Sequence, residues 1–146
     1  MSNTSKPKGS EINYNLDLSD GFEKLQKLNL YNSCVTTIRL PKGQNSIPLM
    51  QFDIRGCQLT SLELADQNLL ESLDLTGCDR LSQLQISSCN NLRTLSLDKT
   101  QSSLDSINIA SDTFQSISCI DNDSVRTMQI QSSMLESVVF KNCTKL

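Results

Sequence analysis

Apolar residues recur along the chain in a short and regular pattern of leucine and isoleucine. The segment LESLDLTGCDRLSQLQISSCNNL, residues 70 to 92, contains the spacing L-x-x-L-x-L-x-x-C twice, eleven residues apart. Within each unit the middle leucine takes position four, the next leucine position six and the cysteine position nine. Position four falls at Leu28, Ile38, Phe52, Leu62, Leu73, Leu84, Leu95, Ile107, Ile117, Met128 and Val138. A fixed period of this kind indicates a solenoid, in which each unit packs on its neighbours.

The alternation of apolar and polar residues around positions four and six has a period of two, which predicts a short β-strand in each unit. The remaining residues are mostly Gly, Asn, Asp, Ser, Gln and Thr, which favour turns and leave no room for a helix. Two units then make one coil of about 21–22 residues, so that about five to six coils build two parallel sheets. The sequence predicts an all-β, or nearly all-β, solenoid over residues 12–146.

Both ends of the sequence depart from this pattern. Residues 1–11, MSNTSKPKGSE, are polar and are expected to form a disordered lead-in that lacks the apolar stretch of a signal peptide. Leu146 is position one of a further unit, and no polar cap follows it. We therefore expect that the solenoid continues in a longer protein, or that its last coil stacks end to end on another chain.

Position nine is where each strand ends and the chain turns, and it holds four of the six cysteines: Cys57, Cys78, Cys89 and Cys143. Small or polar residues fill the slot elsewhere: Ser33, Gly43, Gln67, Thr100, Asp112, Asn122 and Ser133. We expect these side chains to pack inward and to satisfy backbone groups of the turn. Cys119, at position six, should be a core residue. Cys57 and Cys78 lie on adjacent coils, either as buried reduced thiols or as a disulfide.

The repeated motif resembles the nested leucine-rich repeats of bacteria, in which L-x-x-L-x-L-x-x-N/C occurs twice per repeat, as in surface proteins of the Bacteroidetes type. The resemblance covers residues 25 to 146 well. It implies a leucine-rich repeat solenoid that acts as a scaffold for protein binding and adhesion, without catalytic residues or cofactors. It also implies a location at the cell surface, whereas free thiols favour a reducing compartment.

Composition excludes several function classes. The net charge of −3 and the absence of a basic stripe argue against nucleic acid as a partner, and no apolar run is long enough for insertion into a membrane. Without histidine there is no Ser-His-Asp triad, and the thiols lack the spacing of a zinc site. We therefore expect no enzyme activity, no metal and no cofactor.

Candidate binding residues lie in two places. The insert LPKGQNSIP is the one long departure from the repeat, and solenoid insertions often lie on a binding face, so we single out Lys42, Gln44 and Asn45 within it. Arg39 and Arg55, with Lys27, are outward basic residues near one end of the stack, either a patch for an anionic partner or a solvated rim. Asp53 and Asp74 should stand on adjacent coils about 5 Å apart. They would suit a Ca²⁺ site or a pair of acid and base groups. Alternatively, they are a surface pair whose mutual repulsion is reduced by Arg55 or Lys27.

The functional prediction is a non-catalytic scaffold that binds a protein or a glycan through its sheet faces and the insert. One alternative is a structural component of a larger assembly, such as a surface appendage or a virion fibre, in which the end at Leu146 stacks on a neighbour. A β-solenoid enzyme that acts on polysaccharide is a third and weaker alternative.

Overall fold

The computed structural model describes residues 14–99 and 104–146, and the predicted lead-in at 1–11 lies outside them. In the described residues twelve short strands alternate with turns, and a single turn of 3-10 helix occurs at Gly43–Asn45. The strands are β1 Tyr14–Asp17, β2 Lys27–Asn29, β3 Val35–Arg39, β4 Gln51–Asp53, β5 Ser61–Ala65, β6 Ser72–Asp74, β7 Gln83–Ser87, β8 Thr94–Ser96, β9 Ser106–Ala110, β10 Ser116–Ile120, β11 Thr127–Gln131 and β12 Ser137–Lys141.

The strands stack alternately into two parallel sheets, so that the chain is a β-solenoid of about six turns. The odd-numbered strands form the first sheet, with β1 paired to β3 and the order β5, β7, β9, β11 beyond it. The even-numbered strands form the second sheet, with β2 paired to β4 and the order β6, β8, β10, β12. Pairing is in register, since Leu62 lies beside Leu84 and Leu84 beside Ile107. The predicted fold class is confirmed.

The apolar core runs between the two sheets and consists mainly of residues at positions one, four and six. Phe114 and Leu75 are completely buried, and Cys119 is also buried, as predicted from its place at position six. Each coil is covered by the coils on either side of it, so burial is highest in the middle of the stack. On β12, at the end of the stack, Val138 and Phe140 remain 44% and 43% exposed.

Position nine forms a ladder of hydrogen bonds between coils, as expected from the sequence. The Sγ atoms of Cys57 and Cys78 donate to the backbone oxygens of Leu30 and Ile54, at 3.0 and 3.1 Å. Each acceptor is the position-six carbonyl of the preceding coil. Both thiols are free and buried, in agreement with the reduced interpretation of this pair. Cysteine therefore serves as a small apolar residue that still donates a hydrogen bond.

Three slots of this ladder, Gly43, Asp112 and Ser133, are exposed and so differ from the prediction, and a fourth, Thr100, lies outside the described residues. At Ser133 the preceding residue, Ser132, is the less exposed of the two and donates from Oγ to the oxygen of Phe114 at 2.6 Å. Gly43 is exposed because the insert begins there and leaves the repeat, and Gln67 of the next coil reaches across instead. Asp112 is also exposed, and the preceding residue, Ser111, is buried and donates from Oγ to the oxygen of Cys89 at 2.8 Å. The register of the turn thus shifts by one residue at this coil.

Position eight has a positive φ at nearly every turn, which explains the Gly, Asn, Asp and Ser found there. Its members with positive φ are Asn32, Gly56, Asp66, Gly77, Ser88, Lys99, Asp121 and Asn142. Small polar residues and glycine tolerate this left-handed conformation best. Stacking places Gly77 directly over Gly56, and Gly56 over Asn32.

This column predicts different costs for two identical substitutions. Gly77→Ala should lower the free energy of unfolding by about 1 kcal/mol, because alanine must adopt a positive φ. Gly56→Ala should cost about 2 kcal/mol, since the added Cβ would also lie 2.0 Å from Oδ1 of Asn32. Urea unfolding of both variants measures the difference, and adding Asn32→Gly to Gly56→Ala should remove the excess. Equal costs for the two glycines would contradict this account.

No helix in the described part of the chain is long and apolar enough to cross a membrane.

Candidate functional site

The insert between β3 and β4 is the main irregular element on the surface of the solenoid. It is held from below by apolar side chains, since Ile47 and Leu49 are buried in the core. It is held from the side by polar contacts to the next coil: Gln67 Nε2 donates to the oxygen of Pro41 at 3.1 Å, and the backbone nitrogen of Gly43 donates to Asp66 Oδ2 at 2.7 Å. These anchors give the insert a defined shape.

Exposed side chains on the insert face solvent above these anchors. Lys42 Nζ pairs with Glu63 Oε1 at 2.5 Å, and both side chains are about half exposed. Gln44 and Asn45 are exposed on the 3-10 turn, and Arg39 at the end of β3 is 3.9 Å from the carboxylate of Asp17. Ion pairs as exposed as these contribute little to stability, so the charges remain available to a partner.

Grooves flank the insert on both sides. One groove has a volume of about 490 Å³ and is lined by polar side chains that include Arg39, Lys42, Asn45 and Glu63. The other has a volume of about 410 Å³ and lies between the insert and the turn after β1, where Phe22 and Gln44 contribute to its lining. The concave surface arises because the insert rises above an otherwise flat stack.

Asp53, Arg55 and Asp74 lie together on the second sheet, along a groove of about 490 Å³. Arg55 donates to both carboxylate oxygens of Asp53, and this hydrogen bonding lowers the pKa of Asp53 below its usual range. The Arg55 guanidinium also lies 5.2 Å from the ring centroid of Tyr31. Asp53 therefore stays ionised and its charge is balanced by Arg55. This arrangement is the surface pair eased by Arg55 that was one interpretation of the sequence.

The carboxylates of this groove also have a local role in their own turns. Asp74 Oδ1 accepts from the nitrogen and the hydroxyl of Thr76, at 2.9 and 2.6 Å. Asn29, two coils before Asp74 in the same column, accepts from the nitrogen of Tyr31 in the same way. Such turns favour Asp and Asn at position five, which explains both acidic residues without a ligand. In the described residues no group of three or more His, Cys, Asp or Glu side chains could hold a metal ion.

The seven residues singled out in the sequence therefore form two groups. Arg39, Lys42, Gln44 and Asn45 lie at the insert beside the first sheet, while Asp53, Arg55 and Asp74 lie on the second sheet. Glu63 and Asp66 belong to the insert site and were not predicted. Glu63 could have been found from the repeat, since it occupies the same outward position as Arg39 one coil later.

The first sheet continues beyond the insert as a flat polar face. Its outward side chains on β7, β9 and β11 are uncharged amides and hydroxyls: Gln83, Gln85, Ser106, Asn108, Thr127 and Gln129. A shallow groove crosses this face between β5 and β9. Such a surface offers many hydrogen bonds but no aromatic platform for a sugar ring.

Comparisons of the chain with protein-family models, with curated proteins and with solved structures gave no match.

Proposed function

We propose that this protein is a non-catalytic binding scaffold whose recognition site is the anchored insert and the two grooves beside it. The observation that supports this most is the rigid anchoring of a polar, charged loop on a surface that otherwise repeats every coil. A binding site held by Gln67 and Asp66 loses little conformational entropy when a partner docks. The partner is a protein or a glycan that presents polar and charged groups to Arg39, Lys42 and Asn45.

The class that we propose is the nested leucine-rich repeat of bacteria. The supporting features are the L-x-x-L-x-L-x-x-C motif, the parallel solenoid and the cysteine ladder at position nine. Adhesion or protein binding at a cell surface is the role that this class implies.

A printed array of purified proteins and glycans tests the binding proposal. The variant Arg39→Ala, Lys42→Ala, Asn45→Ala removes exposed side chains but keeps Ile47, Leu49 and the Gln67 contact, so the fold should survive. We expect signals seen with the wild-type chain to fall at least about tenfold, as loss of a few central contacts does in other interfaces.

The control variant removes three outward polar side chains of the same sheet on β9 and β11, away from Glu63 and the insert: Asn108→Ala, Thr127→Ala and Gln129→Ala. It should bind as the wild-type chain does. Equal binding by both triple variants, or an array on which the wild-type chain binds nothing, would reject the insert as the recognition site.

A second candidate function, a structural component of a larger assembly, is favoured by the exposed end of the stack. Both β11 and β12 leave one edge without a neighbouring strand, and Met134, Val138 and Phe140 are each more than 40% exposed. At the other end, Leu28 and Leu30 are only partly buried and Phe22 is exposed. Continued in register, Leu28 of a second copy would cover Val138 and Leu30 would cover Phe140.

Such head-to-tail contacts do not close, so they produce fibres whose length depends on concentration. Light scattering after size exclusion should show species larger than the 16.2 kDa monomer at millimolar chain concentration. Val138→Lys places a charge in the apolar seam and should restore the monomer. Val139→Lys, on the outward side of the same strand, should not. A wild-type chain that stays monomeric would reject the assembly.

A further inference from the structure

Two thiols lie in contact at the last coil of the solenoid. Cys143 Sγ is 3.4 Å from Cys119 Sγ and donates a hydrogen bond to the backbone oxygen of Cys119 at 2.9 Å. Neither the predicted binding role nor the stacking of the coils requires the position-six residue here to be a cysteine.

The repeat itself explains why these two side chains meet. At Cys78 the position-nine thiol donates to the carbonyl of Ile54, the position-six residue 24 places earlier. Cys143 and Cys119 stand in the same relation, again 24 places apart. The thiol ladder therefore brings each position-nine sulfur to a position-six residue, and in this coil the position-six side chain is a second thiol.

Exposure differs between the two sulfurs. Cys119 is completely buried, and this burial raises the pKa of its thiol to about 12. Cys143 is only partly buried, on a coil whose outer side is open in the structure. A small thiol-reactive molecule therefore reaches Cys143 first, and Cys119 can react only with its neighbour.

The approach needed for a bond is small. The sulfur atoms of a disulfide lie about 2.05 Å apart, so these two must move closer by about 1.4 Å. Cys119 lies on β10 and Cys143 in the turn after β12, the strand that pairs with β10.

We propose that Cys119 and Cys143 form a reversible disulfide that fastens the last coil to the coil before it. The oxidant is a small disulfide such as oxidised glutathione. The Cys143 thiolate attacks one glutathione sulfur, and one glutathione leaves as a thiolate and takes up a proton. The Cys119 sulfur then loses its proton and attacks Cys143 Sγ, which releases the second glutathione. Two protein thiols are oxidised and one molecule of oxidised glutathione is reduced to two of glutathione.

The consequence is a covalent clamp at the coil that is least covered. The closed loop runs from Cys119 to Cys143 and includes all of β11 and β12. Closing it limits the conformations of this segment when it opens, so the oxidised end should fray less. The rigidity of the exposed end therefore depends on the redox state of the two cysteines. The shape of the surface that this end presents to a neighbour depends on it as well.

Titration of the folded chain with glutathione redox buffers tests the proposal. We expect the chain to lose two of its six free thiols, and peptide mapping to show Cys119 linked to Cys143. Hydrogen exchange of residues 127–146 should slow on oxidation, and dithiothreitol should reverse both changes.

Two single variants separate this pair from the other cysteines. Cys143→Ser retains a hydrogen-bond donor for the Cys119 carbonyl and should keep all of its remaining thiols under the same buffers. Cys34→Ser removes the exposed thiol of an early coil, and this variant should still lose two free thiols on oxidation. Glutathione that stays attached to Cys143, a link to another cysteine, or the same thiol loss in Cys143→Ser would overturn the proposal.

Discussion

Replacing Phe114 with alanine should lower the free energy of unfolding by about 3–5 kcal/mol, the usual cost of removing a completely buried aromatic ring. Phe114 is the largest of the fully buried side chains, and it lies at position one of the unit that contains β10. Its ring fills space between coils, where the neighbouring strands are fixed by hydrogen bonds and cannot collapse into a cavity.

Phe140→Ala is the control, because it removes the same type of side chain from β12, the strand that pairs with β10. Phe140 is 43% exposed, so its loss should cost about 1 kcal/mol or less. Guanidinium unfolding, followed by circular dichroism, measures both values. Similar costs for the two variants would mean that the interior is not packed as described, or that Phe140 is covered in solution by another chain. Light scattering of the same samples separates these two explanations.

The difference between these two phenylalanines also shows what the sequence can predict. The period of the apolar residues gives the strands, the two parallel sheets and the interior, because in a solenoid each contact is between neighbouring units. Cys119 was placed in the core from its position alone, and the structure confirms it. The exposure of Phe140 follows from its place in the last coil and not from its residue type.

The insert could not be predicted in the same way, because it breaks the period on which every other prediction depends. Its anchors are Ile47 and Leu49 from the insert itself and Gln67 and Asp66 from the following coil. Nothing in the spacing indicates that Gln67 turns toward Pro41, or that Gly43 leaves the position-nine ladder. These contacts depend on the path of a loop, which local sequence determines only weakly.

The turns were predicted only in part from the sequence. The Gly, Asn, Asp and Ser residues of each unit indicated turns, but not that the left-handed residue stands at position eight in most of them. Likewise, Asp53 and Asp74 were treated as a potential ligand pair, and the structure shows that each accepts a hydrogen bond from its own turn. A repeated acidic residue can therefore result from backbone geometry.

The buried thiols predict a loss of stability at alkaline pH. Burial raises the pKa of Cys78 from the usual 9.0 to about 12, and it also raises the pKa values of Cys57, Cys89 and Cys119. In the unfolded chain these thiols ionise near pH 9, whereas in the folded chain they stay protonated to higher pH. The stability that they contribute is complete below pH 9 and is lost as the pH rises above 9, for Cys78 until about pH 12.

Cys78→Ser isolates the share of one thiol in this loss, since serine does not titrate and keeps a donor for the Ile54 carbonyl. Between pH 7.5 and pH 10.5 the wild-type chain should lose about 1–2 kcal/mol more than this variant, as the free-energy equivalent of a pKa difference implies. Urea unfolding at both pH values, with a phosphine reductant present, provides the measurement. Phe140→Ala, which changes no titrating group, should show the same pH dependence as the wild-type chain. If Cys78→Ser and the wild-type chain lose stability equally, the Cys78 thiol is not held protonated by the folded solenoid.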